Sequence, residues 1–73
     1  MENSIRSERE ARGWTQVMLA GRLEVSRQTV VAIETGKYDP SLPLAFRISM
    51  LFEKPIEGLF TPANNSSKES ASR

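Results

Sequence analysis

Residues that start and end helices recur at short intervals along most of this chain. Thr15, Ser26 and Ser41 have side chains of the kind that caps the first turn of a helix. Gly13 and Gly36 are typical of helices that end in a left-handed backbone conformation. Only two to five residues connect one helix to the next, which leaves no room for the strands of a sheet protein. The pattern therefore predicts an all-α fold.

Five short helices follow from these signals, and they are predicted at residues 3–12, 15–23, 26–35, 41–52 and 55–60. Pro43 fits this assignment because proline is tolerated in the first turn of a helix. Residues 61–73 are rich in Asn, Ser, Lys and Glu and nearly lack apolar side chains, which predicts a disordered tail. We therefore expect one domain, at residues 1–60, followed by that tail.

The residue types that are missing exclude several classes of protein. The chain contains neither cysteine nor histidine, so disulfides are excluded and a zinc-stabilised fold is not expected. It has no glycine-rich phosphate loop, and a chain of 73 residues can barely enclose a substrate pocket. We expect no enzyme activity, no metal, no cofactor and no small-molecule ligand. No apolar stretch approaches the roughly 20 residues that cross a bilayer, and no signal peptide is visible, which predicts a cytoplasmic protein without membrane contact.

The net charge of the chain is only +1. Affinity for nucleic acid must then come from the placement of charges rather than from their sum. The third predicted helix shows such a placement, because at about 100° per residue it divides into two sides. Its core side carries Val30 and Ile33, whereas its outer side carries Arg27, Gln28, Val31, Ala32 and Thr35.

The residue types on this outer side suit the edges of DNA bases. Arg27 and Gln28 can bond bidentately to guanine and adenine, and Val31 and Ala32 can contact a thymine methyl group. A solvated helix surface is the alternative interpretation. Against it, Val31 is β-branched and therefore unfavourable at an exposed helix centre that nothing covers.

Polar residues on the first two helices add to this interpretation. Gln16 lies in the first turn of the second helix, where its amide can hold a phosphate oxygen, although it can equally be an ordinary polar residue at a helix start. Arg9 shares the side of Ile5, the main apolar residue of the first helix, so its stem should be partly buried. A buried guanidinium needs a carboxylate partner, and Glu34 on the core side of the third helix can supply it.

The run GWTQVMLAGRLEVSRQTVVAIETGKYDPSLPLAFRISMLF, followed by PIEGLF, resembles the Cro/phage-repressor (XRE-like) helix-turn-helix family, most specifically between Val25 and Leu42. The resemblance covers about residues 3–60. It implies a compact five-helix, lambda-repressor-like DNA-binding domain with its helix-turn-helix at the second and third helices, of which the third enters the major groove of double-stranded DNA.

The resemblance also implies roles for single residues. The positions that match the family's base contacts are Arg27, Gln28, Val31 and Ala32. Phosphate contacts are expected from Gln16, Thr29 and Lys37, with Thr35 added from the same outer side. Arg9 and Glu34 match the family's ion pair between helices, in agreement with the argument from burial.

Two departures from the family pattern are visible. Glu24 occupies the turn between the second and third helices, where glycine is usual. A left-handed conformation at a residue other than glycine costs about 1 kcal/mol, which the motif can tolerate. Val17 and Met18 stand where glutamates are common, which predicts a small exposed apolar strip on the second helix.

The fourth predicted helix is apolar on two sides. Its core arc holds Leu44, Ala45, Ile48, Leu51 and Phe52, and the opposite arc holds Leu42, Phe46 and Met50. A helix of this kind is either central or shared with a partner. We expect a homodimer whose interface includes Phe46, Met50, Ile56, Leu59 and Phe60, with two recognition helices about 34 Å apart on a palindromic operator. A monomer with a closed core is the alternative.

These features together predict a sequence-specific transcriptional regulator, and a repressor is the commonest kind. A restriction–modification controller or an antitoxin would have the same fold, and neighbouring genes would distinguish them. A protein-interaction module that has lost DNA binding is an alternative of another class, because a fold does not determine a function.

Overall fold

The computed structural model describes residues 1–61 and is built almost entirely from helices. Its elements are β1 (Glu2–Asn3), α1 (Ile5–Ala11), α2 (Gln16–Leu23), α3 (Arg27–Glu34), α4 (Leu42–Phe52), α5 (Ile56–Leu59) and β2 (Phe60–Thr61). The prediction of an all-α fold with five helices is confirmed. Residues 62–73, which make up nearly all of the predicted tail, lie outside the described residues.

A small pair of strands replaces the predicted ends of the first and fifth helices. β1 and β2 are antiparallel, with Glu2 opposite Thr61 and Asn3 opposite Phe60. Beyond the ladder, the Ser4 backbone N–H donates to the Leu59 carbonyl oxygen at 2.9 Å. The helix predicted from residue 3 therefore begins at Ile5, and Phe60 lies in a strand instead of a helix. Strands of two residues leave no periodic pattern that a sequence could display.

The three predicted capping residues start three helices. Thr15, Ser26 and Ser41 have extended backbones, and each side-chain oxygen accepts a hydrogen bond from the backbone N–H three residues later. Such bonds satisfy N–H groups that have no partner within the helix. Pro43 lies in the first turn of α4, where it removes no helical hydrogen bond.

Left-handed residues separate the helices. Gly13 and Gly36 have φ values of 72° and 79°, and a Cβ atom at Gly36 would also lie 3.3 Å from the Met1 carbonyl oxygen. Glu24, at the end of α2, has φ 61°, as expected from its place in the turn. Glu53, at the end of α4, adopts φ 56°, which the residue type did not suggest. Two helices therefore end in a conformation that glycine adopts more easily.

The core lies where α2, α3 and α4 meet, and it is closed by α1, α5 and β2. Its buried apolar residues are Ile5, Leu19, Ala20, Leu23, Val30, Ile33, Leu44, Ala45, Ile48, Phe52, Leu59 and Phe60. On α4, the predicted core arc is buried except for Leu51, which is half-buried. The opposite arc of α4 is exposed. One side of α3 and one side of α4 therefore lie outside the core, at the surface of the molecule.

Residues 1–61 show neither a membrane-spanning helix nor a metal-binding cluster. No helix there has the length and apolar character needed to cross a membrane. Within the same residues, no group of three or more acidic, histidine or cysteine side chains could hold a metal ion.

Candidate nucleic-acid interface

The position of α3 is fixed by its buried side and by a short turn from α2. Val30 and Ile33 are almost completely buried in the core. The turn between the helices runs through Glu24 and Val25, and the Val25 N–H donates to the Ala20 carbonyl oxygen at 3.0 Å. This geometry is a helix-turn-helix. The side of α3 that faces away from the core is therefore presented on the surface of the molecule.

The outer side of α3 carries all four of the predicted base-contacting residues. Arg27 and Gln28 are exposed at its first turn, whereas Val31 and Ala32, one turn later, are half-buried. Small apolar side chains at half-buried positions leave a shallow apolar surface beside two long polar side chains. Such a surface can contact a base edge and a methyl group at once.

Thr29, Thr35 and Lys37 are predicted to contact phosphate, but their side chains differ in exposure and in the hydrogen bonds that they already make. The Lys37 side chain is exposed. The Lys37 backbone N–H donates to the Ala32 carbonyl oxygen at 3.0 Å, which holds the residue against the end of α3. Thr29 is half-buried, and its hydroxyl lies 3.0 Å from that of Ser26. Thr35 is exposed, but its hydroxyl already donates within the helix to the Val31 carbonyl oxygen at 3.0 Å. A phosphate contact by Thr35 would require this bond to break.

A buried ion pair lies behind α3. Arg9 Nε donates to Glu34 Oε2 at 2.7 Å, and Arg9 Nη2 donates to Glu34 Oε1 at 3.3 Å. The side chains are 11% and 3% exposed, respectively. The hydrogen bond that Arg9 donates to Glu34 raises the pKa of Arg9 above its ordinary value, against the opposing effect of burial. The structure thus brings together the two residues that the sequence analysis predicted to pair.

The same network reaches the start of α2, which the sequence analysis missed. Arg9 Nη1 donates to the Trp14 carbonyl oxygen at 2.8 Å, and Gln16 Nε2 donates to Glu34 Oε1 at 3.3 Å. Gln16 is half-buried as a result. These two bonds are visible only in the folded structure, where Trp14 and Gln16 lie next to the ion pair. The Trp14 acceptor is a backbone carbonyl oxygen, which every residue has and which no sequence pattern can indicate.

The cations of the domain divide sharply into paired and unpaired ones. Among the Lys and Arg side chains of residues 1–61, Arg27 and Lys37 alone make no hydrogen bond, ion pair or cation–π contact. Those that have partners are Arg6, Arg9, Arg12, Arg22, Arg47 and Lys54. Arg27 begins α3, and Lys37 follows it. The two unpaired cations therefore stand at the two ends of the outer side of α3.

The predicted dimer residues do not form one exposed surface. Phe46 and Met50 are 52% and 77% exposed on the outer arc of α4, and Ile56 is half-buried. Leu59 and Phe60 are buried in the core of the chain itself, so the prediction that they lie at a partner interface is wrong. A mostly apolar groove of about 460 Å³ lies beside α4, and it is lined by Met1, Pro40, Leu42, Ala45, Ile56, Glu57 and Phe60.

The predicted apolar strip on α2 is present. Val17 and Met18 are exposed, and they lie on the opposite side of α2 from its buried residues Leu19, Ala20 and Leu23.

Comparison with known proteins agrees with this geometry. The helix-turn-helix family model matches residues 5–59. A protein of Methanocaldococcus jannaschii named as an uncharacterized HTH-type transcriptional regulator is 52% identical over 60 residues, which cover 82% of this chain and 91% of the relative. Proteins with the same kind of name from Archaeoglobus fulgidus and Bacillus subtilis are 47% and 42% identical over 60 residues, covering 82% of this chain and 86% and 91% of the relatives. The chain belongs to the XRE-like helix-turn-helix family, whose members are DNA-binding regulators rather than enzymes.

Proposed function

We propose that this protein regulates transcription by placing α3 in the major groove of a specific DNA sequence, and that it represses by occupying promoter DNA. One observation carries the proposal: the unpaired cations of residues 1–61, Arg27 and Lys37, bracket the outer side of α3. With a net charge of +1, the protein has little general attraction to DNA, so binding depends on this side.

The residues divide into two proposed roles. Arg27 and Gln28 read base edges, with Val31 and Ala32 against thymine methyl groups. Lys37 and Gln16 hold the sugar–phosphate backbone on either side, and Thr29 and Thr35 are weaker candidates because their hydroxyls have partners within the chain. Base contacts give sequence preference, whereas phosphate contacts give orientation and salt dependence.

The test begins by selecting duplexes that the protein binds from a randomised pool. Fluorescence anisotropy then measures affinity for a selected duplex and a scrambled one, over a range of salt concentrations. Gln28→Ala should reduce the preference for the selected duplex, at a cost of about 1–3 kcal/mol in discrimination, whereas Lys37→Ala should weaken binding to both duplexes about equally. Absence of salt-sensitive binding by the unmodified protein would contradict the proposal and favour a protein-interaction module.

We further propose that the protein binds a palindromic operator as a homodimer. The exposed apolar side chains Phe46 and Met50 share the outer arc of α4 with Leu42, which also lines the apolar groove. A two-fold interface needs both kinds of surface on one patch, because each copy must fit the other. Sedimentation at micromolar concentration should show a species of twice 8.2 kDa. A species of 8.2 kDa alone would contradict the dimer.

A further inference from the structure

The amide of Gln16 lies against a carboxylate that an arginine already holds. Gln16 Nε2 donates to Glu34 Oε1 at 3.3 Å, and Arg9 donates to both oxygens of the same carboxylate. The Glu34 side chain is almost completely enclosed. Its position is therefore set by the core and by Arg9, and Gln16 adapts to it.

This contact decides which end of the Gln16 amide faces the interior. An ionised carboxylate only accepts hydrogen bonds, so the amide nitrogen must point toward Glu34 and the carbonyl oxygen must point elsewhere. The amide has two N–H groups, of which Glu34 takes one. The remaining N–H is the group of this side chain that can bond to a phosphate oxygen.

The backbone around Gln16 is held by neighbouring contacts. Arg9 Nη1 donates to the Trp14 carbonyl oxygen at 2.8 Å, and Thr15 caps α2 by accepting from the Met18 N–H at 3.1 Å. The first turn of α2 therefore has a fixed position relative to α1 and α3. Backbone and amide of Gln16 are both constrained before any ligand arrives.

We propose that Glu34 is a positioning residue for DNA binding, which holds the Gln16 amide with its free N–H available to a phosphate of the DNA backbone. This inference rests on the proposed function, because it requires Gln16 to face DNA. A side chain ordered in the free protein loses less entropy on binding, so the fixed amide binds more tightly than a mobile one. Glu34 thus orders the Gln16 amide in addition to neutralising Arg9.

A double-mutant cycle tests this coupling. The variants are Gln16→Ala, Glu34→Gln and the two combined, and the probe is the selected duplex, at a temperature where circular dichroism shows every variant folded. Gln16→Ala should weaken binding about tenfold or more in the unmodified protein, as expected for the loss of one hydrogen bond to a charged group. In the Glu34→Gln background the same change should weaken binding about twofold or less, because an amide at residue 34 can donate as well as accept and no longer fixes the direction of the Gln16 amide.

A second ion pair supplies the control. Glu8 pairs with Arg12 and Lys54 and makes no hydrogen bond to Gln16, so Glu8→Gln removes a charge of the same kind without touching the Gln16 contact. Gln16→Ala should cost the same factor in the Glu8→Gln background as in the unmodified protein. An equal cost of Gln16→Ala in the Glu34→Gln background would overturn the inference alone. Failure of the unmodified protein to bind any selected duplex would overturn the proposed function, and the inference with it.

Nuclear magnetic resonance provides a test that needs no variant. The chain has two glutamines, and Gln28 is exposed whereas Gln16 is half-buried against Glu34. In the DNA-free protein, relaxation of the side-chain NH₂ groups should show Gln16 ordered on the ps–ns timescale and Gln28 mobile. Equal mobility of the two amides would overturn the inference even if Glu34→Gln does not fold.

Discussion

The outer sides of α3 and α4 are both exposed, but they offer a partner opposite kinds of surface. The α3 side carries unpaired Arg27 and exposed Gln28 beside small, half-buried apolar groups. The α4 side carries Leu42, Phe46 and Met50, which are large, apolar and exposed. Removal of these three side chains from water is favourable in any context, whereas Arg27 and Gln28 gain only from matching acceptors and donors. The proposed function uses the first surface for sequence specificity and the second for association.

The ion pair behind α3 should give the largest effect, because it supports the first of these surfaces. Arg9→Met leaves the Glu34 carboxylate buried without its partner, and we expect the free energy of unfolding to fall by about 3–5 kcal/mol. Arg9→Met combined with Glu34→Leu should recover most of that loss. Urea unfolding followed by circular dichroism measures both. A double variant much less stable than either single one would contradict this account.

Phe46→Glu should prevent association through the outer side of α4 and leave the outer side of α3 unchanged. The side chain is half exposed, so the fold should lose little stability, but a charge there would prevent apolar association. We expect sedimentation to show the monomer, and affinity for a palindromic duplex to fall about tenfold or more, or roughly 1.4 kcal/mol.

The apolar strip on α2 supplies the matched control for that variant. Val17→Glu introduces the same charge at another exposed apolar residue, outside the α4 surface. Sedimentation should find its oligomeric state unchanged. If Val17→Glu also dissociated the protein, α2 rather than α4 would carry the association.

The turns that end α2 and α4 should give a smaller effect of opposite sign. Glu24→Gly and Glu53→Gly each place glycine at a left-handed residue, and each should raise the free energy of unfolding by up to about 1 kcal/mol. Thermal unfolding measures the shift. Because the two φ values are nearly equal, a large difference between the variants would show that one glutamate makes a further contribution to its turn.

The smallest effect should come from Glu8, which joins α1 to the end of α4. Hydrogen bonds from Lys54 and then Arg12 lower the pKa of Glu8 below its ordinary value of 4.5. Its contribution to stability is therefore complete above about pH 4.5, and it is lost as the pH falls through the lower pKa of the folded state. Glu8→Gln should reduce the loss of stability between neutral pH and about pH 3 in thermal unfolding. Glu57→Gln, at an exposed residue without an ion pair in residues 1–61, should leave that loss unchanged.

Local chemistry explains which parts of the structure were predictable. The caps at Thr15, Ser26 and Ser41 depend on one side chain and the turn that follows it, so residue type suffices. The division of α3 into two sides depends on helical periodicity alone. The pairing of Arg9 with Glu34 was accessible because both residues lie on apolar sides of their helices, where a charge needs a partner.

The parts that could not be predicted depend on contacts between distant segments. Burial of Leu59 and Phe60 inside the chain results from packing against α4 and from the strand pair, and apolar character alone does not distinguish a core from an interface. The bond from Gln16 to Glu34 requires the crossing of α2 and α3 to be known. The left-handed Glu53 is a separate case, because it belongs to the local turn that ends α4 and glutamate has no preference for that conformation.

The strand pair has a consequence for the order of folding. Glu2 meets Thr61 across almost the whole described length of the chain, whereas α2 and α3 meet through a turn of three residues. Closing a long loop costs more entropy than closing a short one, and that cost must be met before the contact is formed. The helices can thus pack first, from segments that are close in sequence. The two strands then pair last, on helices that are already packed.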